Sequence, residues 1–294
     1  MAFSRFGRRR SYRRFPRRGY RNGPRRNYRF SRRNYRSRRP QRGNFRRRNW
    51  ISPFNKKRDT MRSSQDDNMN EFGVIDAPNT FFGFCPTFRQ LLSSNSSVNT
   101  LPHSRQSAKI GFTGYKERVL IATGSSLIWR RIVLWSYTQF TPAQPPVKGQ
   151  STDNPNWYGR QTTPLENTIA LREFLFEGTD GTDYTVHSIH EAKLNRNNFT
   201  VAYDRTRWLN PTHDTEDFGY QKEFKFWNPG GKIIYDDDES GSEKLPANGW
   251  SSSTRESRGN MYIFDIFNSG LGLTSDVSNI ARFCPQGTAY WVEG

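Results

Sequence analysis

Acidic residues are missing where basic ones crowd. Residues 1–58 carry 24 Lys and Arg and no Asp or Glu, whereas the whole 294-residue chain has 46 basic and 27 acidic residues and a net charge of +19. Residues 59–294 therefore hold 22 basic and 27 acidic residues, a net of −5. The missing counter-charge excludes a self-contained fold for the opening segment, because its like charges repel and it has few aliphatic side chains to offset the entropy of ordering. The expected organisation is a disordered basic arm over 1–58, a hinge over 59–75, and one domain over 76–294.

Cysteine is equally scarce. Cys85 and Cys284 are too few for a disulfide framework and stand in no metal-ligand spacing, so they read as buried free thiols. No apolar run reaches the ~18 residues of a membrane span, and the N-terminus lacks the apolar core of a secretory signal. The chain is expected neither to enter a membrane nor to be secreted by that route, which leaves the sequons at Asn95 and Asn198 idle.

What the arm does have is arginine interleaved with aromatic rings. Basic clusters recur at Arg8, Arg9 and Arg10, Arg13 and Arg14, Arg17 and Arg18, Arg25 and Arg26, Arg32 and Arg33, Arg38 and Arg39, and Arg46, Arg47 and Arg48, and the segment ends on Lys56, Lys57 and Arg58. Tyr12, Tyr20, Tyr28, Tyr35 and Trp50 stand among them, and Pro16, Pro24 and Pro40 oppose a helix. Guanidinium groups stay protonated and displace counterions from phosphates, while aromatic rings stack on unpaired bases at about 1–3 kcal/mol each. These residues are the expected nucleic-acid contacts, with single strands favoured over duplex and no base-specific readout. Short basic runs also serve as nuclear import signals. A cleaved transit peptide fits less well, because it needs an amphipathic helix.

The body reads as all-β. ERVLIAT (117–123) and WRRIVLWSY (129–137) flank Gly124-Ser125-Ser126 and are expected as sheet neighbours. FTVAYDRTRW (199–208) alternates as a half-buried strand, with Phe199, Val201 and Tyr203 facing one way. YQKEFKFW (220–227), KIIY (232–235), NMYIFDIF (260–267) and TAYWV (288–292) are further strands, with NPGGK (228–232) a turn. TPLENTIALREFLF (163–176) opens on Thr163 as a cap, with Pro164 in the first turn, Glu166 three residues after the cap and Gly178 as the stop; one short helix is expected there. Short strands, long loops and one helical connection predict an antiparallel sandwich, an eight-stranded jelly roll in the first instance.

Motifs for chemistry are weak. His187 and His190 match no zinc-site order, NPGGK lacks the rest of a phosphate loop, and YDDDESG (235–241) begins like a calcium loop but has Ala247 where a bidentate Glu is needed. No nucleophile elbow is present. The expectation is a protein without enzymatic activity, cofactor or catalytic residue.

Taken in order, the arm, NKKRDTM (55–61), FCPTFR (84–89), GYKERVLIATGSSLIWRRIVLW (114–135), YDRTRWLN (203–210) and FKFWNPGGKIIYDDDESG (224–241) resemble capsid proteins of small circular single-stranded DNA viruses, most closely the genomovirus group. The resemblance implies a jelly-roll shell domain, self-assembly of about sixty copies into a small icosahedral virion, and packaging of circular single-stranded DNA. It also implies a host nuclear import receptor as partner and the host nucleus as the place of assembly. The rival reading is a cellular RNA-binding or ribosome-associated protein with a basic tail.

Overall fold

Alternation, and its failure, sort the strands into two sheets. In the computed structural model, residues 55–65, 72–89, 105–138, 140, 147–149, 157–166, 169–185, 187–211, 219–235, 251–252, 254–269 and 278–294 are described. The first sheet runs β1 (Asn55–Met61), β12 (Ala281–Glu293), β5 (Lys109–Thr123), β10 (Tyr220–Ile234), with β3 (Gly73–Ile75) also paired to β12. The second runs β4 (Asn79–Phe84), β11 (Asn260–Asn268), β6 (Leu127–Ser136), β9 (Thr200–Leu209). All of these pairs are antiparallel. A small third sheet joins β2 (Ser63–Ser64), β8 (Trp157–Gln161) and β7 (Val147–Gly149). The architecture is an all-β sandwich with, among the described residues, one short helix, α1 (Ile169–Leu175).

The first sheet shows the period of two that a one-sided sheet requires. In β5, Val119 and Ile121 point into the sandwich while Lys116, Arg118 and Leu120 point out. A bulge opposite Tyr290 and Trp291 of β12 leaves Phe112 and Tyr115 both facing inward. The second sheet shows no alternation: every residue of β6 and of β11 is buried. Its inner face meets the first sheet, where Trp129 lies edge-on to Phe224 at 4.9 Å. Its outer face is covered by the connection carrying α1, whose Leu171 and Leu175 join Phe176, Ile189 and Leu194 in one cluster with Ile132, Leu134, Tyr262 and Phe264. Phe140 stacks on Phe174 at 4.5 Å and meets Phe264 at 5.7 Å, sealing that layer.

Several expectations are corrected. The hairpin expected at Gly124-Ser125-Ser126 is a corner: β5 pairs with β10 and β12, whereas β6 pairs with β11 and β9 in the other sheet. NPGGK is not a turn, because β10 runs unbroken from Tyr220 to Ile234; this is an edge strand, where a proline is tolerated, and a Cβ on Gly230 would lie 1.9 Å from the Phe112 carbonyl oxygen. The helix starts at Ile169 instead of after Thr163. Thr163 donates its hydroxyl to the Gln65 carbonyl, and the Leu165 amide bonds the Phe81 carbonyl at 2.7 Å, so this stretch is spent on tertiary contacts. The segment expected as a hinge contains the end of β1, then β2 and β3. Residues 235–241 hold Tyr235, which is buried, while the acidic run Asp236–Glu239 lies outside the described residues.

Burial of acids that must stay neutral makes the fold sensitive to alkali. Burial pushes the Cys85 thiol up to about 11, against opposing hydrogen bonds from Thr87 and Phe88, and the Tyr115 phenol up to about 12, against the opposing charges of Arg160 and Arg131. Tyr262 is raised further by the same cause. A raised folded-state value contributes stability that is fully present below the unfolded value and is lost as pH rises through the folded one. Denaturant midpoints are therefore expected to hold up to about pH 9 and to fall steadily towards pH 12. A flat profile across that window contradicts the burial of these groups.

Candidate nucleic-acid interface

Of the expected nucleic-acid contacts, Lys56, Lys57 and Arg58 are among the described residues, and they are not arm; Arg8 to Arg48, the four tyrosines and Trp50 lie outside them. All three sit in β1, whose register pairs Lys57 with Trp291 and Arg58 with Tyr290. The strand alternates, so Lys56 and Arg58 face out and Lys57 faces in. Lys57 Nζ lies 2.9 Å from Glu293 Oε2, with both side chains buried. Two residues on, buried Asp59 pairs with Arg89, which also stands 5.6 Å over the Trp291 ring and donates to Met61 Sδ at 3.4 Å. Glu293 further accepts from Trp291 Nε1 at 2.8 Å and from the Gln106 amide at 3.2 Å. Lys57 is therefore withdrawn from the expected contacts: its buried ion pair fastens β1 to the end of β12. Glu293→Ala strands its charge, and the expected loss is about 3–5 kcal/mol in chemical unfolding.

The outward face of the first sheet is basic. Lys56 and Arg58 of β1 stand beside Thr288 and Tyr290 of β12, Lys116 and Arg118 of β5, and Lys225 and Trp227 of β10. Glu223 is held between Arg118 and Lys225 at 3.6 Å from each, and all three side chains are solvent-exposed, so these pairs add little stability. Thr60, Lys116, Arg118, Gln286, Thr288 and Tyr290 line a shallow depression of about 170 Å³. Beside it the Trp227 and Tyr290 rings lie 6.0 Å apart at 52°. Gly114 makes that possible: a Cβ there would come within 2.7 Å of the Trp227 ring.

Behind this face four ionised groups close a ring inside the sandwich. Glu117 of β5 pairs with Arg131 of β6 and, at 3.2 Å, with Arg160 of β8; Asp265 of β11 lies 3.3 Å from each of the two arginines. All four are fully buried. Tyr115 donates to Glu117 at 3.2 Å and Trp129 Nε1 to Asp265 at 3.0 Å. Arg131 lies 4.2 Å over Phe226 and Arg160 4.4 Å over Phe84. Burial pushes both guanidinium groups down from their ordinary values, with the neighbouring Asp265 opposing it. The ring ties both large sheets to the small third one. Sequence reasoning missed it; the one signal was adjacency, because Arg130 and Arg131 must point to opposite faces of one strand and each needs an acid. Arg130 finds Asp204 at 2.8 Å on the outer side.

His187 and His190 fall in a turn, and among the described residues no group of three His, Cys, Asp or Glu is arranged to hold a metal. No helix among the described residues is long and apolar enough to cross a membrane. No family model and no curated protein matches the chain. Among solved structures, a mutant of the unassembled VP1 pentamer of Washington University polyomavirus matches at 11% identity, over 81% of this chain and 78% of that one, with a TM-score of 0.11.

Proposed function

We propose that the chain is the capsid protein of a small circular single-stranded DNA virus, with residues 1–54 gathering the genome and the two-sheet body forming the wall. The observation that carries the reading is the segregation of charge: 24 Lys and Arg without an acid in residues 1–58, then a body of net −5. A polycation without internal partners neutralises a polyanion, and the aromatic residues among its arginines suit unpaired bases. The arm leads directly into β1, whose buried ion pairs make it a firm attachment point.

Strand order supports the jelly-roll form of the sandwich. Counting the eight long strands β1, β4, β5, β6, β9, β10, β11 and β12 from first to eighth, the sheets read 1-8-3-6 and 2-7-4-5. Consecutive strands thus cross between sheets at most connections, the wrapping that nested Greek keys produce. In this reading about sixty copies close into one icosahedral shell. The arm's basic clusters engage an import receptor, the virion assembles in the host nucleus, and the role is structural, without turnover. Electron microscopy of the purified full chain tests the proposal: uniform closed particles holding nuclease-resistant single-stranded DNA are expected, and monomers or open filaments contradict it.

A further inference from the structure

The geometry points to a second nucleic-acid site, separate from the arm, on the outward face of the first sheet: a phosphate seat at Lys116 and Arg118 beside a base-stacking platform of Trp227 and Tyr290. This deepens the reading above and rests on it, since it makes that face the one turned toward the packaged strand.

Three observations favour a single strand as the occupant. The depression of about 170 Å³ presents an ammonium, a guanidinium, an amide and hydroxyls, with Thr60 and Thr288 3.2 Å apart, so its polar lining can donate to one anionic oxygen group. Its charge complements phosphate, because the outward-facing Lys56 and Arg58 extend it along β1. Trp227 is 52% exposed, an unusual position for a large apolar residue, and the half-buried Tyr290 ring lies beside it. Gly114, which has no side chain, lets the Trp227 ring lie across β5 and come beside Tyr290. Phosphate contacts beside stacking rings define a sequence-tolerant single-strand site, and a duplex keeps its bases out of reach of such rings.

The test uses the full chain. It is bound to a single-stranded oligonucleotide carrying 5-bromodeoxyuridine, irradiated, digested and mapped by mass spectrometry. Adducts are expected on Trp227 or Tyr290 as well as in residues 1–54, and only the arm adducts are expected with the matching duplex. Lys116→Glu with Arg118→Glu is expected to reduce the sheet adducts at least tenfold and to leave the arm adducts in place. Trp227→Ala alone removes the stacking contact without altering charge, and a drop in the Tyr290 adduct is expected. Adducts confined to the arm overturn the proposal, as does a sheet signal indifferent to charge reversal. So does carbodiimide coupling of Lys116 to an acidic residue of a second copy in nucleic-acid-loaded protein, which makes the face an interface between copies. Closed particles with arm-only adducts overturn this site and spare the capsid reading; absence of particles strikes the capsid reading itself.

Discussion

Arg131→Met is expected to lower the free energy of unfolding by about 3–5 kcal/mol, a large share of a domain's whole stability. The cause is charge, since methionine fills a similar space. Without Arg131, the buried Glu117 and Asp265 face Arg160 alone, leaving one uncompensated negative charge where no solvent reaches. Arg131 also lies over Phe226 of β10, so part of the loss is packing between the sheets. Adding Glu117→Met to Arg131→Met leaves the Arg160 and Asp265 pair neutral, and stability is expected to recover in part, giving a favourable coupling between the two substitutions. Chemical unfolding of the two single variants and the double variant measures it. A loss under about 1 kcal/mol for Arg131→Met, or a double variant no better than the sum of the singles, contradicts the ring.

The second large effect concerns where the arm ends. Removing residues 1–54 is expected to leave the body folded and to abolish packaging, read as loss of nuclease-resistant nucleic acid from purified protein. Removing 1–58 takes Lys57 with it and strands Glu293 in the sheet. The shorter product is expected to be less stable than the longer by about 3–5 kcal/mol, although the two differ by four residues. Equal stability of the two products contradicts the buried Lys57–Glu293 pair, and undiminished packaging after removal of 1–54 contradicts the arm's proposed task.

The sequence was most legible where water marks one side of a strand. β5, β12 and the start of β9 alternate because their outer side chains are solvated; of them the sequence shows ERVLIAT in β5, TAYWV in β12 and most of β9, and the first halves of β5 and β12 go unrecognised. β6 and β11 lost that period because the α1 connection covers the second sheet's outer face; composition alone betrayed them. Pairing was misread at Gly124-Ser125-Ser126, since a short turn looks alike whether the next strand lies beside the last or in the opposite sheet. Thr163 carried a cap signature that its bond to Gln65 overrode. Lys57 could not be separated from its basic neighbours until β1 gave it a side, and the register placed it inward.

Lys116, Arg118, Tyr290 and Trp227 escaped notice for a related reason. They come from three strands far apart in sequence, and each alone is an ordinary surface residue. The buried ring was hidden in the same way, because charged residues on strands suggest solvent until each is seen with its partner. Only the covering of both faces of the second sheet explains why Arg130 and Arg131, adjacent in sequence, are both buried.

The most direct test of the central claim, that a basic arm holds the genome inside a wall made by the body, is limited trypsin digestion of intact particles. The arginines of residues 1–54 offer cleavage sites throughout. The account predicts that they stay uncut while particles are closed and are cut within minutes once the particles are opened. Rapid loss of the arm from closed particles that still protect their nucleic acid would contradict it.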